Sequence, residues 1–350
     1  MNRNMKIYIK NKSKFALIGH GYHLNTLFDE LILNKFPKPI IITHLKKYHK
    51  RDIREAKGIA NLYKSVIELE KKTKVYYLKT LDSKSALSIL SKNKVDYIFC
   101  CSGRFIFKDN IINQYKNKIF NIHGAILPEE KGGGIFTYRI FNKKKFCAAT
   151  IHLIDKGIDT GDILLASKKK KVNGEILPKN FLIKTNKVCT KLIKLFIKKI
   201  INHKRFILKK QNPSKGFYLP RFYTDVSGAI NWNWSGENIN LFIKGCSTPY
   251  SGAFCFVKFN VKDIKVKILN SKFVKTKDFI HPWFSGKIIN EDDINIRVLT
   301  SSGQLIINKK NIVFEKNYNL KKLEGKTFYN THNFLLNSVN HAPNIFKFKL

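Results

Sequence analysis

Six short apolar runs restrict this chain more than any other feature: "KFALIGHG" (14–21), "PIIITHL" (39–45), "KVYYLK" (74–79), "DYIFCCS" (96–102), "IFNIHGAI" (119–126) and "CAATIHLID" (147–155). They show little polar alternation, which fits strands buried on both faces in a parallel sheet covered by helices. Helical patterns fill the gaps. "YHLNTLFDELILNK" (22–35) sets Leu24, Leu27, Phe28, Leu31 and Ile32 on one face, and "KSALSILSKN" (84–93) is another such segment. The alternation predicts an α/β fold with a doubly wound, mostly parallel sheet, whose sites form at the carboxyl ends of strands.

A long basic helix, "LPKNFLIKTNKVCTKLIKLFIKKIINH" (177–203), closes this half, and "KKQNPSKG" (209–216) reads as a linker because Pro and Gly punctuate polar residues. From "FYLPRFYTDVSGAINW" onward the texture changes to short strands, aromatic residues and turns, with one short helix, "SGENINLFIKG" (235–245), that Ser235 can cap and Gly245 can stop. The expected division is a first domain over 1–208, a linker over 209–216, a smaller β-barrel-like domain over 217–325 and a tail over 326–350.

The 350 residues carry a formal net charge of +42, a level that attracts anions. Only eight of the 66 basic residues are Arg, the residue favoured for base reading and bidentate phosphate contacts, and the lysines lie on nearly every expected helix. A generally basic surface therefore explains the charge better than a dedicated nucleic-acid stripe. Cys100, Cys101, Cys147, Cys189, Cys246 and Cys255 are scattered without a CxxC pair or metal-ligand spacing, so buried free thiols and no metal are expected. No apolar run approaches the length of about 18 residues needed to cross a membrane, and the start lacks the pattern of a signal peptide. The expectation is a cytoplasmic protein without membrane contact. "GHGYH" (19–23) follows the first strand but lacks the third glycine of a dinucleotide loop, and reads as a tight turn.

Chemistry concentrates in "NIHGAILPEEKGGGIFTYRI" (121–140). Residues two apart on a strand face the same side, so Asn121 and His123 can converge on one pocket at a strand's carboxyl end. An amide beside an imidazole suits acyl or formyl transfer, with one group for a developing oxyanion and one for a proton. "HLIDKGIDTGDIL" (152–164) adds Asp159 between Gly157 and Gly161, a carboxylate able to favour the protonated imidazole. On spacing alone, caps and turn formers explain these residues better than catalysis does.

The ordered set "FNIHGAILP", "GGGIFTYRIFN" and "ATIHLIDKGIDTGDIL" closely resembles the folate-dependent formyltransferase family, which includes methionyl-tRNA formyltransferases and sugar-nucleotide N-formyltransferases. "INWNWSGENINLFIKGCSTPYSGAF" (230–254) is similar to the segment that opens the OB-like carboxyl-terminal barrel of the larger members. The resemblance implies that Asn121 stabilises the oxyanion of a tetrahedral intermediate, that His123 is the general acid/base and that Asp159 holds and tunes it. It implies 10-formyltetrahydrofolate as donor, lying against Asp155, Lys156, Gly157 and Ile158, against Ala125, Ile126, Leu127 and Pro128, against Gly133, and beside a loop holding Arg104, Phe105 and Ile106.

The glycine run reads as a place where missing side chains let a ligand approach the backbone. "PEEKGGG" departs from the family, which often has an Arg there; Lys131 can replace it only as a point charge. Segments such as "THLKKYHKRD" look closer to the sugar-type members, so the expected acceptor is the amine of an amino-sugar nucleotide made for surface polysaccharide. Methionyl-tRNA is the alternative acceptor, a catalytically degenerate nucleic-acid or ligand-binding module is the alternative of another class, and a homodimer is left open.

Overall fold

A computed structural model describes residues 5–55, 59, 62–81, 84–212, 214–315 and 322–341. The chain divides into two compact units. The first holds residues 1–135, 146–172 and 182–219; the second holds 136–145, 173–181 and 220–350. The part of the expected tail from 342 onward lies outside the described residues.

The first unit is built on a seven-stranded sheet. Its strands are β1 (Phe15–Gly19), β2 (Ile40–His44), β3 (Val75–Leu78), β4 (Tyr97–Cys101), β5 (Ile119–His123), β6 (Thr150–Leu153) and β7 (Ile163–Ala166), in the spatial order β7-β6-β5-β4-β1-β2-β3. Strands β1 to β5 pair in parallel, and β6 alone is reversed, pairing antiparallel with β5 on one side and β7 on the other. The order reverses beside β1, the arrangement of a doubly wound sheet. Every residue of β1 and β2 is buried, which is why those runs show no alternation. The expected strand 147–155 is two pieces: Phe146–Cys147 pairs elsewhere, and β6 starts at Thr150.

Helix α1 (Gly21–Leu33) buries Leu24, Leu27, Phe28 and Leu31. Ile32, expected on that face, is instead exposed. It stands one position past Leu31, about 100° around the helix, and so falls off the edge of the buried stripe. Among the other helices, α2 (Lys46–Glu55), α3 (Lys84–Lys92) and α4 (Asp109–Gln114) follow β2, β3 and β4. The long helix α5 (Pro178–Ile201) sets Phe196 edge-on against Phe99 of β4 and Phe120 of β5, with ring centres 5.2 and 5.8 Å apart.

The second unit has helix α6 (Gly236–Gly245), capped by the Ser235 hydroxyl accepting from the Asn238 amide. Its strands are β8 (Ala253–Phe259), β9 (Lys262–Ile268), β10 (Lys272–Lys275), β11 (Ile288–Glu291), β12 (Asn295–Thr300), β13 (Gly303–Asn308), β14 (Ile312–Phe314) and β15 (Phe328–Tyr329). They form two four-stranded antiparallel sheets, β14-β9-β8-β15 and β10-β13-β12-β11, joined by an isolated bridge between Lys287 and Thr327. Here burial alternates along β13, with Gly303, Leu305 and Ile307 inward. One core of Trp232, Ile239, Phe242, Val257, Val298, Leu305 and Phe328 gathers under both sheets.

Candidate active site

The site grows from the carboxyl end of β5. Asn121 and His123 share one face of the strand, and antiparallel pairing sets His152 of β6 directly opposite Asn121. The loop that leaves β6 brings Asp159 back over all three. Its Oδ2 lies 3.6 Å from His123 Nδ1, and its Oδ1 lies 3.4 Å from His152 Nε2 and 3.5 Å from Asn121 Nδ2. His123 is 8% exposed, and the Asp159 side chain retains 14% of its accessible surface.

Hydrogen bonds fix which nitrogens hold protons. Carbonyls only accept, so His123 Nε2 donates to the Glu130 carbonyl at 2.7 Å, which leaves Nδ1 as the ring nitrogen that faces Asp159. Likewise His152 Nδ1 donates to the Leu153 carbonyl at 2.7 Å, and its Nε2 lies 3.1 Å from the Asn121 amide nitrogen, on the side that faces Asp159. Burial pushes the Asp159 carboxyl up, but the imidazoles of His123 and His152 and the Gly132 amide outweigh it and hold the group well below the usual carboxylate range.

Gly132 is the second anchor of that carboxylate: its amide donates to Asp159 Oδ2 at 2.8 Å. It has a φ of +92°, and a Cβ there would fall 2.4 Å from the Leu219 carbonyl, so only glycine fits. The short strand Glu130–Gly132 pairs in parallel with Phe217–Leu219, and the Gly133 amide donates to the Leu219 carbonyl at 3.0 Å. The glycine run thus begins as a structural joint, and Gly133 alone of the three is exposed.

The other sequence-derived residues surround this cluster in sequence. Thr150 Oγ1 donates to the Ala125 carbonyl at 2.8 Å; Ala125 and Leu127 are buried, and Ile126 and Pro128 half-buried. Asp155 Oδ1 accepts from the Gly157 amide and the Thr160 hydroxyl at 3.1 and 2.6 Å, forming the loop's own turn, and Lys156 ion-pairs with Asp109 at 2.9 Å. Ile158 is half-buried. Past β4, Arg104 and Phe105 are half-buried, Phe105 packing on the core beneath β1 and β2, and Ile106 is exposed. Cys100 lies beside the site, and burial pushes its thiol up to about 12, which keeps it protonated. No group among the described residues could hold a metal ion, and no described helix is long and apolar enough to cross a membrane.

Sequence reasoning did not single out His152 or Gln211. Gln211 Nε2 donates to the carbonyls of Asp159 and Gly161 at 2.9 and 2.7 Å. A histidine inside the apolar run "ATIHL" was the available signal for the first. Nothing in "KKQNPSKG" marked the second.

An amide, two imidazoles and a carboxylate gathered at one strand end suit an enzyme that transfers an acyl unit. The family comparison agrees: residues 12–179 match the formyl transferase model and residues 224–333 match the formyl transferase carboxyl-terminal domain model, so the chain belongs to the formyltransferase family and is a formyltransferase enzyme. It is 27% identical over 253 residues to a methionyl-tRNA formyltransferase of Finegoldia magna, covering 71% of this chain and 77% of that protein. Its fold is similar to WlaRD, a sugar 3N-formyl transferase crystallised in the presence of dTDP and 5-N-formyl-THF, with a TM-score of 0.59, 20% identity and coverage of 86% and 98% of the two chains. An N-formyltransferase from Helicobacter canadensis, in complex with folinic acid and dTDP-3-aminofucose, gives 0.58 at 21% identity, covering 85% and 99%.

Proposed function

We propose that the protein transfers a formyl group from 10-formyltetrahydrofolate to the primary amine of an amino-sugar nucleotide, using Asn121, His123 and Asp159. The observation that carries this reading is the convergence of these side chains on one strand end, with the carboxylate held ionised against two imidazoles. The folate supplies the formyl carbon that the amine nitrogen attacks. Asn121 keeps one N–H on His152 at 3.1 Å, and the other, only 3.5 Å from Asp159, is the one released to a developing oxyanion. His123 takes a proton from the amine and returns one to the departing N10, while Asp159 favours the charged ring between those events.

The residues suit a folate. Phe105, Ile126 and Ile158 offer half-buried apolar side chains, and Gly133 and Gly157 offer exposed backbone, a combination fit for a flat heteroaromatic ring with edge hydrogen-bonding groups. The sugar acceptor is supported by fold neighbours that match over 98% and 99% of their own length, one crystallised in the presence of dTDP and one in complex with dTDP-3-aminofucose. A second reading, transfer to methionyl-tRNA, is favoured by the similarity to the Finegoldia magna enzyme. Incubation with 10-formyltetrahydrofolate and a panel of 3-amino and 4-amino deoxysugar nucleotides, with methionyl-tRNA alongside, separates them through tetrahydrofolate release. Turnover with the tRNA alone would overturn the sugar assignment, and no turnover with any amine would overturn the enzyme mechanism as drawn.

A further inference from the structure

The loop that carries Asp159 has backbone needs of its own. Asp159 has a φ of 56°, in the left-handed region that non-glycine residues adopt at a cost. Such a turn points carbonyls where no strand can pair with them. One side chain answers two of these groups: the Gln211 amide forks to the carbonyls of Asp159 and Gly161, at 2.9 and 2.7 Å. Because both partners only accept, the NH2 end must face them and the amide's orientation is fixed.

The same stretch of chain also holds the partner of the carboxylate. Before Gln211, Lys209 exchanges two backbone hydrogen bonds of 2.9 Å with Ile163, just past the loop. After it, Gly216 has a φ of +87° and packs so that a Cβ would lie 1.9 Å from the Pro128 carbonyl. Phe217 then donates to the Glu129 carbonyl at 3.1 Å, and Phe217–Leu219 pairs with Glu130–Gly132, whose Gly132 amide binds Asp159 Oδ2. Backbone and side chain of Asp159 are therefore both referred to one strap, which falls in residues 180–223, outside both family models.

We propose that Gln211 is a positioning residue: its amide sets the Asp159 carboxylate against His123 and thereby tunes the proton-transferring pair. This rests on the reading of Asn121, His123 and Asp159 as the reacting cluster. The 3.6 Å spacing between His123 and Asp159 is longer than a hydrogen bond, so a shift of a fraction of an ångström decides between a bond and a loose ion pair.

Gln211→Met keeps the length of the side chain and removes both donors. It should lower kcat by about 10- to 100-fold, the scale set by ångström-level misplacement, with KM for the folate held within about threefold. The acid limb of its pH–rate profile should move to lower pH, in the direction of Asp159→Asn, because the charged ring loses its support. Gln211→Glu places a carboxylate against two carbonyls, and should lose at least as much near neutrality and recover partly on acidification, once the carboxyl can donate. A nuclear magnetic resonance titration of the His123 ring in wild type, Gln211→Met and Asp159→Asn needs no acceptor, and the Gln211→Met midpoint should lie between the other two. An unchanged rate and titration in a folded Gln211→Met protein would overturn the proposal. So would a rate loss matched by falling Tm with an unmoved pH profile, which is the signature of a merely structural residue. If Gln211→Met does not fold, the Gln211→Glu acid recovery decides. If Asp159→Asn keeps wild-type turnover, the reading of the site fails, and the titration still reports whether Gln211 controls the contact.

Discussion

The two units place their polar groups differently. At the end of β5 and β6, two buried histidines meet a half-buried asparagine and aspartate, one in a left-handed conformation, and hydrogen bonds to Gly132, Glu130, Leu153 and Gln211 hold them. Under the sheets of the second unit an apolar core is packed instead, for example Trp232 stacked on Phe328 at 5.8 Å. A buried polar cluster carries a desolvation cost that must be offset by partners, whereas close-packed aromatics stabilise through the area they hide. The contrast teaches where each kind of substitution should be felt: rate at the first, stability at the second.

The sharpest break of this contrast is His123→Ala. Turnover should fall by about 100- to 10,000-fold while folate binding stays within about tenfold. Measured by tetrahydrofolate release and by fluorescence titration, an equal loss of both would place His123 among the structural residues. Next comes Phe328→Ala in the second unit, which should cost about 3–5 kcal/mol in urea unfolding and leave kcat per folded molecule unchanged. A large fall in kcat there would erase the division of labour.

The smallest effect is in pH. The folded-state carboxyl of Asp159 lies below its unfolded value of about 3.9, so its contacts contribute stability above that pH and lose it as pH falls toward the folded value. Wild type should therefore lose Tm more steeply than Asp159→Asn below about pH 4, where the unfolded carboxyl binds its proton first. Parallel curves would mean that the carboxylate gains nothing from its surroundings.

The sequence revealed the sheet wherever both faces of a strand are buried. Residues 15–19 and 40–44 lie within expected runs because residues 15–18 and 40–42 are apolar without a break. Asn121 and His123 were legible for a related reason: in a strand, spacing of two has only one geometric meaning. His152 was not, because its partnership with Asn121 depends on β6 running antiparallel to β5, and a run of apolar residues does not state its direction. Gln211 was hidden more deeply. Its contacts are to backbone carbonyls 50 and 52 residues away, and backbone acceptors leave no mark on a sequence. The roles of Asn121, His123 and Asp159 came through resemblance, since periodicity only brought them to one end of the sheet.

None of the six cysteines is in a disulfide, and all are buried. Cys100, Cys101, Cys147 and Cys189 belong to the first unit, and Cys246 and Cys255 to the second. Burial drives their thiols upward where a shift is resolved, at Cys100, Cys101, Cys246 and Cys255, which makes the native protein a poor target for thiol reagents. The molecule thus carries its own label-free clock. Any sulfur that reacts reports an opening event, and peptide mapping of the modified residues would time the breathing of one unit separately from the other.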